Sequence, residues 1–283
     1  MRSAKEIIFF STVALATLAV VTTVWFFTPL PTTAARYVWD EWRAGTLALA
    51  LDRRDADLAF AIGNHFFGNQ AAIGTDEERP YDLPLAKRAF SKGVAIDSSL
   101  PLAHYMRARI EFIQSDFSAA LADLATESVL FPGNGRAMYM RGLAHAYRGL
   151  PGDLARAEQD FREFVAWAPR EWAGYNDLAF VLAKDKQYAH AAAALKEGIE
   201  RADGGDKNPW LWNALGVMEL NSGNPAEAVS ALTKAQTFAA SLTDAEWQKA
   251  YPGNDPSIAR AGIEAMQASI ARNLMAARTE SEK

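Results

Sequence analysis

The chain has 283 residues, of which 50% are hydrophobic and 22% charged, with a formal net charge of −5 at pH 7. That balance supports a sizeable core and excludes a disordered chain, and a net negative chain without any Lys/Arg block excludes a sequence-independent grip on nucleic acid, which needs a basic stripe. With no cysteine, disulfides, thiolate metal sites and cysteine nucleophiles are ruled out.

A short tail, residues 1–6, precedes a predicted transmembrane helix at 7–28. Its run IIFFSTVALATLAVVTTVWFF carries no charge and at about 1.5 Å per residue reaches roughly one hydrocarbon thickness. Trp25, Phe26 and Phe27 lie where an aromatic belt would, and Pro29 and Pro31 stop the helix. Arg2 and Lys5 ahead of the run, with Thr33, Ala34 and Ala35 after it, also fit a cleaved leader. The run exceeds the usual h-region of about 7–15 residues, so an uncleaved anchor is expected. Arg36 and Arg43 nearly balance Arg2 and Lys5. The basic tail before the first apolar run remains the usual export signal, and it places the rest of the chain outside the cytoplasm, on the periplasmic side of a bacterial inner membrane.

Residues 29–55 read as a linker and connecting helix, with the helix over 35–52. From residue 56 small residues recur in the middle of successive apolar helices, at Gly63, Ala108, Gly142, Ala179 and Gly216. A second series, Ala86, Ala120, Ala157, Ala191 and Ala228, steps by 34, 37, 34 and 37 residues, each with a bulky residue four positions later: Phe90, Leu124, Phe161, Leu195 and Leu232. A step of this length is too long for a heptad and matches a two-helix unit. The small residue lets a partner helix approach, and the bulky one fills the space beside it. Asn69 to Pro84 forms a surplus, acidic loop in the first unit. Thr243 to Lys249 reads as a short helix. Asp255 and Pro256 then open a long terminal helix whose apolar face covers the last hairpin, so that 241–283 is a cap.

On Leu215-Gly216, Ala228, Leu232 and Ala235, on Ala191, Leu195 and Gly198, on Ala157, Phe161 and Pro169, and on Phe117, Ala120 and Pro132, the chain resembles the tetratricopeptide-repeat (TPR) family over roughly 56–240. The resemblance implies an all-α fold: an α-α superhelix, or solenoid, of about five helical hairpins with a C-terminal capping helix, preceded by the single transmembrane helix. It further implies that the first helix of each hairpin lines a concave surface. In phase, the lining positions include Asn64, Tyr105, Arg109, Arg136, Tyr139, Asn176, Phe180 and Asn213, a partner-binding groove for a protein or peptide segment. Asn can bond both faces of an extended backbone, Arg can clasp a carboxylate, and aromatic side chains anchor. The several Lys/Arg of the carboxylate clamp in chaperone-binding members are missing.

No nucleophile elbow, HExxH, phosphate loop or CxxC occurs. His65, His104, His145 and His190 have no metal-ligand spacing. The expectation is therefore no enzyme, no cofactor and no metal, but a membrane-tethered scaffold or assembly factor in an envelope complex. The alternative is a cytoplasm-facing adaptor that recruits a soluble enzyme.

Overall fold

A computed structural model describes residues 15–23, 28–68, 81–251 and 255–283. These are helical nearly throughout. Among them the one strand-like pairing is an isolated antiparallel bridge between Phe67 and Tyr81. Residues 15–23 form a helix, α1, exposed along its described length. No helix among the described residues is long and apolar enough to cross a membrane. Residues 7–14 and 24–27 of the predicted span lie outside them.

The chain divides into two compact units, Met1–Phe66 with Asp82–Leu100, and Phe67–Tyr81 with Pro101–Lys283. In the first, the connecting segment is two helices, not one: α2 (Leu30–Trp42) and α3 (Gly45–Leu51). Arg43 between them takes a left-handed conformation at φ 49°, which ends α2 with its backbone N–H on the Trp39 carbonyl. The side chains expected on one helix still share a core: Ala35, Val38, Trp39, Ala48 and Leu49 pack with Leu58, Ala59, Ile62 and Ala89. These last four belong to the first hairpin, α4 (Ala56–Phe66) and α5 (Leu83–Ile96). Asp82 caps α5 by accepting from the Leu85 N–H at 2.9 Å, so Pro84, read from sequence as the end of a loop, sits in the helix's first turn. Residues 69–80 of the predicted acidic loop lie outside the described residues. The Lys92 amine of α5 donates to the Leu49 and Asp52 carbonyls, which satisfies the C-terminal end of α3.

The second unit holds four further hairpins: α6 (Ala103–Ile113) with α7 (Phe117–Leu130), α8 (Gly135–Arg148) with α9 (Asp153–Trp167), α10 (Trp172–Lys184) with α11 (Tyr188–Arg201), and α12 (Pro209–Asn221) with α13 (Pro225–Ala239). Short helix α14 (Asp244–Ala250) and long helix α15 (Ala259–Ser281) follow, and α15 packs along α13 and α12, as a cap should. Its Ile270, Leu274 and Ala277 are buried against Ala228, Leu232, Ala235 and Ala239. Asp116 and Asn208 cap α7 and α12 by accepting backbone N–H bonds, and Thr243 with Glu246 forms a capping box at α14.

The small-against-large rule read from the sequence is visible as steric contact. A methyl built on Gly63 would fall 2.6 Å from the Phe90 ring, one on Gly142 would fall 2.9 Å from Phe161, and one on Gly216 would strike Leu232. Where the small residue is Ala the same pairs share a core: Ala108 with Leu124, and Ala179 with Leu195. The repeat spacing is thus set by how closely two helix backbones approach.

Beside this apolar ladder runs a charged one that the hydrophobic pattern did not show. Arg107 pairs with Asp123 across the α6–α7 hairpin, and Arg141 pairs with Asp160 across α8–α9. Both acids are buried, and Asp123 also meets His104 Nδ1 at 3.0 Å. In sequence each Arg directly precedes the small residue and each Asp the bulky one, so the two pairs step with the repeat. Asp153, fully buried, gathers Arg148, Arg156 and His145, and Arg148 foremost holds its carboxyl far below the usual range. Three histidines thus serve as structural partners: His104 on Asp123, His145 on Asp153, and His190 on Gln187.

Candidate groove across the first helices

Three first helices of the second unit, α6, α8 and α10, face one cavity of about 530 Å³. Five of the eight residues selected from sequence line it: Tyr105 and Arg109 from α6, Tyr139 from α8, Asn176 and Phe180 from α10. Phe112, Leu143 and Tyr147 join them, and Trp172 and Tyr251 close it from other positions. Successive first helices neighbour one another, α6 with α8 and α8 with α10, so side chains a whole repeat apart in sequence become adjacent in space.

The remaining three selected residues stand elsewhere. Asn64 lies in the first unit, half-buried on α4. Arg136 is exposed near the start of α8. Asn213 on α12 accepts from the Asn273 amide of α15 at 3.1 Å, so the capping helix engages it. None of these three lines the cavity.

At one end of the cavity Arg109 lies with its guanidinium carbon 4.6 Å above the Phe67 ring centroid and 5.8 Å from that of Tyr105. Its Nη1 donates to Met106 Sδ at 3.6 Å, and no carboxylate among the described residues pairs with it. Burial lowers its pKa, and the neighbouring charge of Arg136 lowers it further. Aromatic faces stabilise the cation without neutralising it.

At the other end stands Asp177 on α10, half-buried by its surface and deep among protein atoms. The Tyr139 hydroxyl donates to its Oδ2 at 2.5 Å, and the Asn176 amide donates to Oδ1 at 3.2 Å. Both partners are neutral. Burial pushes the carboxyl up to about 6, against the two hydrogen bonds that pull it down. Burial and then the Asp177 charge push the Tyr139 hydroxyl well above its ordinary value. Asn176 therefore lines the cavity and also holds the acid beside it.

An aromatic rim completes the walls. Tyr147 and Phe180 stack at 6.0 Å, with the Lys184 amine 4.7 Å from the Phe180 centroid, and Phe112 meets Tyr147 edge-on at 5.5 Å. Tyr147 is 55% exposed and Phe180 37%, so both rings reach solvent at the rim. On the far side Trp172 stacks on Trp210 at 5.1 Å, and Trp247 and Tyr251 add rings at 4.6 Å from one another. Helix α14 brings the last two in, although none of its residues is buried. A second cavity of about 530 Å³ opens beyond it, and Trp172 and Ala250 stand in the walls of both.

Sequence phase alone did not single out Asp177, Trp172 or Tyr251. Asp177 had one available signal, a lone acid placed directly before the core residues Leu178 and Ala179. Tyr251 had none, because it comes from a segment outside the repeats. Among the described residues no group of three His, Asp or Glu side chains could hold a metal ion.

No protein-family model matches the chain, and no curated protein matches it. Solved structures do. PilW, described as a widely conserved type IV pilus biogenesis factor, is similar with a TM-score of 0.55 at 16% identity, over 80% of this chain and 94% of PilW. YrrB, described as a TPR protein with an unusual peptide-binding site, gives 0.52 at 17% identity, over 70% of this chain and 93% of YrrB. MamA from Desulfovibrio magneticus RS-1 gives 0.55 at 16% identity, over 66% of this chain and 96% of that one. At such identities the likeness speaks for the fold alone, and together with the five small-against-large hairpins it gives this chain the all-α, stacked-hairpin fold of TPR proteins.

Proposed function

We propose that this chain is a membrane-tethered interaction scaffold that captures an extended segment of a partner protein in the cavity across α6, α8 and α10, and that it binds rather than catalyses. The observation that carries the reading is the composition of that cavity: one cation, one acid and one amide set among aromatic side chains on three neighbouring helices. Such walls suit an extended backbone, with aromatic anchors supplying buried area and Asn176 supplying directional bonds. The likeness to YrrB, whose description names a peptide-binding site, supports the same use of the fold.

The tether is the apolar run 7–28, of which the exposed helix α1 is the described part. We place the repeats on the periplasmic face of a bacterial inner membrane, where they gather subunits of an envelope complex, because the short basic tail precedes the first apolar run. Alkaline phosphatase and green fluorescent protein fused after Lys283 test this. Phosphatase activity without fluorescence is expected, and fluorescence without phosphatase activity would favour the cytoplasm-facing adaptor instead. For the groove, Phe180→Ala and Asn176→Ala should leave the helical circular dichroism intact and weaken capture of displayed peptides by at least about tenfold, the loss of one well-packed anchor. Undiminished capture by both variants would refute binding in this cavity.

A further inference from the structure

Within the cavity two charges of opposite sign each lack an ionic partner among the described residues. Arg109 is held by the Phe67 and Tyr105 rings and a thioether, and Asp177 by a phenol and an amide. They do not neutralise each other, because α8 stands between their helices. With neighbouring axes about 8–10 Å apart, α6 and α10 are separated by roughly 20 Å. Retaining an unpaired charge in a partly dehydrated wall costs free energy, and a ligand group of opposite charge removes that cost as it binds. Tyr139 reinforces this, since its hydroxyl fixes one carboxylate oxygen of Asp177 and leaves the acid oriented but not neutralised.

Resting on the peptide-groove reading above, we infer that the cavity selects a bipolar segment: a ligand carboxylate seated on Arg109 and a ligand ammonium or guanidinium seated on Asp177, with the backbone between them crossing Tyr139 and Asn176. At about 3.3 Å per extended residue, and with long side chains reaching from both sides, the two ligand charges stand about four to six residues apart. The aromatic rim at Tyr147 and Phe180 flanks the cationic end of the ligand, where a Lys or Arg stem also packs. A wholly acidic or wholly basic tail would satisfy one wall charge and oppose the other. This separates the site from one built on clustered Lys/Arg alone.

The test is selection of a random decapeptide library displayed on phage against the full-length chain in nanodiscs, repeated with Arg109→Gln and Asp177→Asn. Wild type should enrich peptides carrying Asp or Glu and Lys or Arg about four to six residues apart. Arg109→Gln should lose the preference at the acidic position only, and Asp177→Asn that at the basic position only. Titration of the best peptide should show at least about a tenfold loss on replacing either of its charges with a neutral amide side chain, and each loss should disappear in the matching variant. Enrichment of peptides without the charge pair would overturn the inference while leaving the peptide groove standing. Absence of any enrichment over empty nanodiscs would bring down both. An acidic preference that emerges only after Asp76, Glu77 and Glu78 are changed to Ser would overturn the anionic half, because Arg109 would then be served by the chain's own carboxylates.

Discussion

Replacing Asp177 with Asn should stabilise the protein at neutral pH, which is an unusual expectation for a residue with two good hydrogen bonds. The folded-state carboxyl stands at about 6, and its ordinary value is 3.8. A raised acid is penalised when ionised. Below about pH 4 the group is protonated in both the folded and unfolded chain and contributes nothing. Between about 4 and 6 the unfolded chain loses the proton first, and above 6 the folded state carries the full cost of the charge. At about 1.36 kcal/mol for each pH unit between the two values, the ceiling is about 3 kcal/mol. Solvent reaching the half-buried side chain screens the charge and brings this to about 1–3 kcal/mol. The substituted amide would keep an oxygen for the Tyr139 hydroxyl. The titratable neighbours that feel Asp177, namely Tyr139 and Tyr147 of α8 and Tyr251, are all raised and stay neutral across this range. The assay is thermal unfolding of full-length wild type and Asp177→Asn in mild detergent from about pH 4 to 8, followed by circular dichroism. The variant should melt higher by several degrees at about pH 7.5, with the gap closing towards pH 4. A gap independent of pH, or a wild type more stable at neutral pH, would refute the assignment of an unpaired, desolvated carboxylate.

Three further outcomes rest on the packing. Gly142→Ala places a methyl 2.9 Å from the buried Phe161 ring and should cost about 1–3 kcal/mol, measured as a shift of the denaturation midpoint. The exposed Gly133→Ala has nothing within reach of the added methyl and serves as the control. Arg107→Ala leaves the buried Asp123 with His104 as its remaining ionic partner among the described residues and should cost about 3 kcal/mol or more, whereas the double change Arg107→Met with Asp123→Leu should recover most of that loss in the same measurement. Lys92→Met removes the amine from the Leu49 and Asp52 carbonyls. Faster amide exchange confined to the first unit, for a loss of about 1–3 kcal/mol, is expected by mass spectrometry.

These perturbations also show which parts of the molecule a sequence can display. The hairpins were legible because close approach of two helices demands a small residue at a fixed phase, and Gly63, Gly142 and Gly216 carry that demand in their identity. A local backbone choice is not carried that way: nothing in the run around Arg43 marks it for a left-handed turn, so one expected helix became α2 and α3. The groove was legible where it repeats. Tyr105, Arg109, Tyr139, Asn176 and Phe180 occupy equivalent faces of successive first helices, and phase alone brought them together. Asn213 occupies the same phase but sits in the last hairpin, where the cap must bury what earlier units leave open, and Asn273 of α15 takes its amide oxygen. Tyr251 enters from beyond the repeats and obeys no phase at all. The property that most defines the cavity was the least legible. Arg109 and Asp177 are ordinary charged residues in the sequence, and their distinction is that the fold gives neither an ionic partner among the described residues. A missing neighbour has no signature in a string of letters and exists only once three helices have been laid side by side.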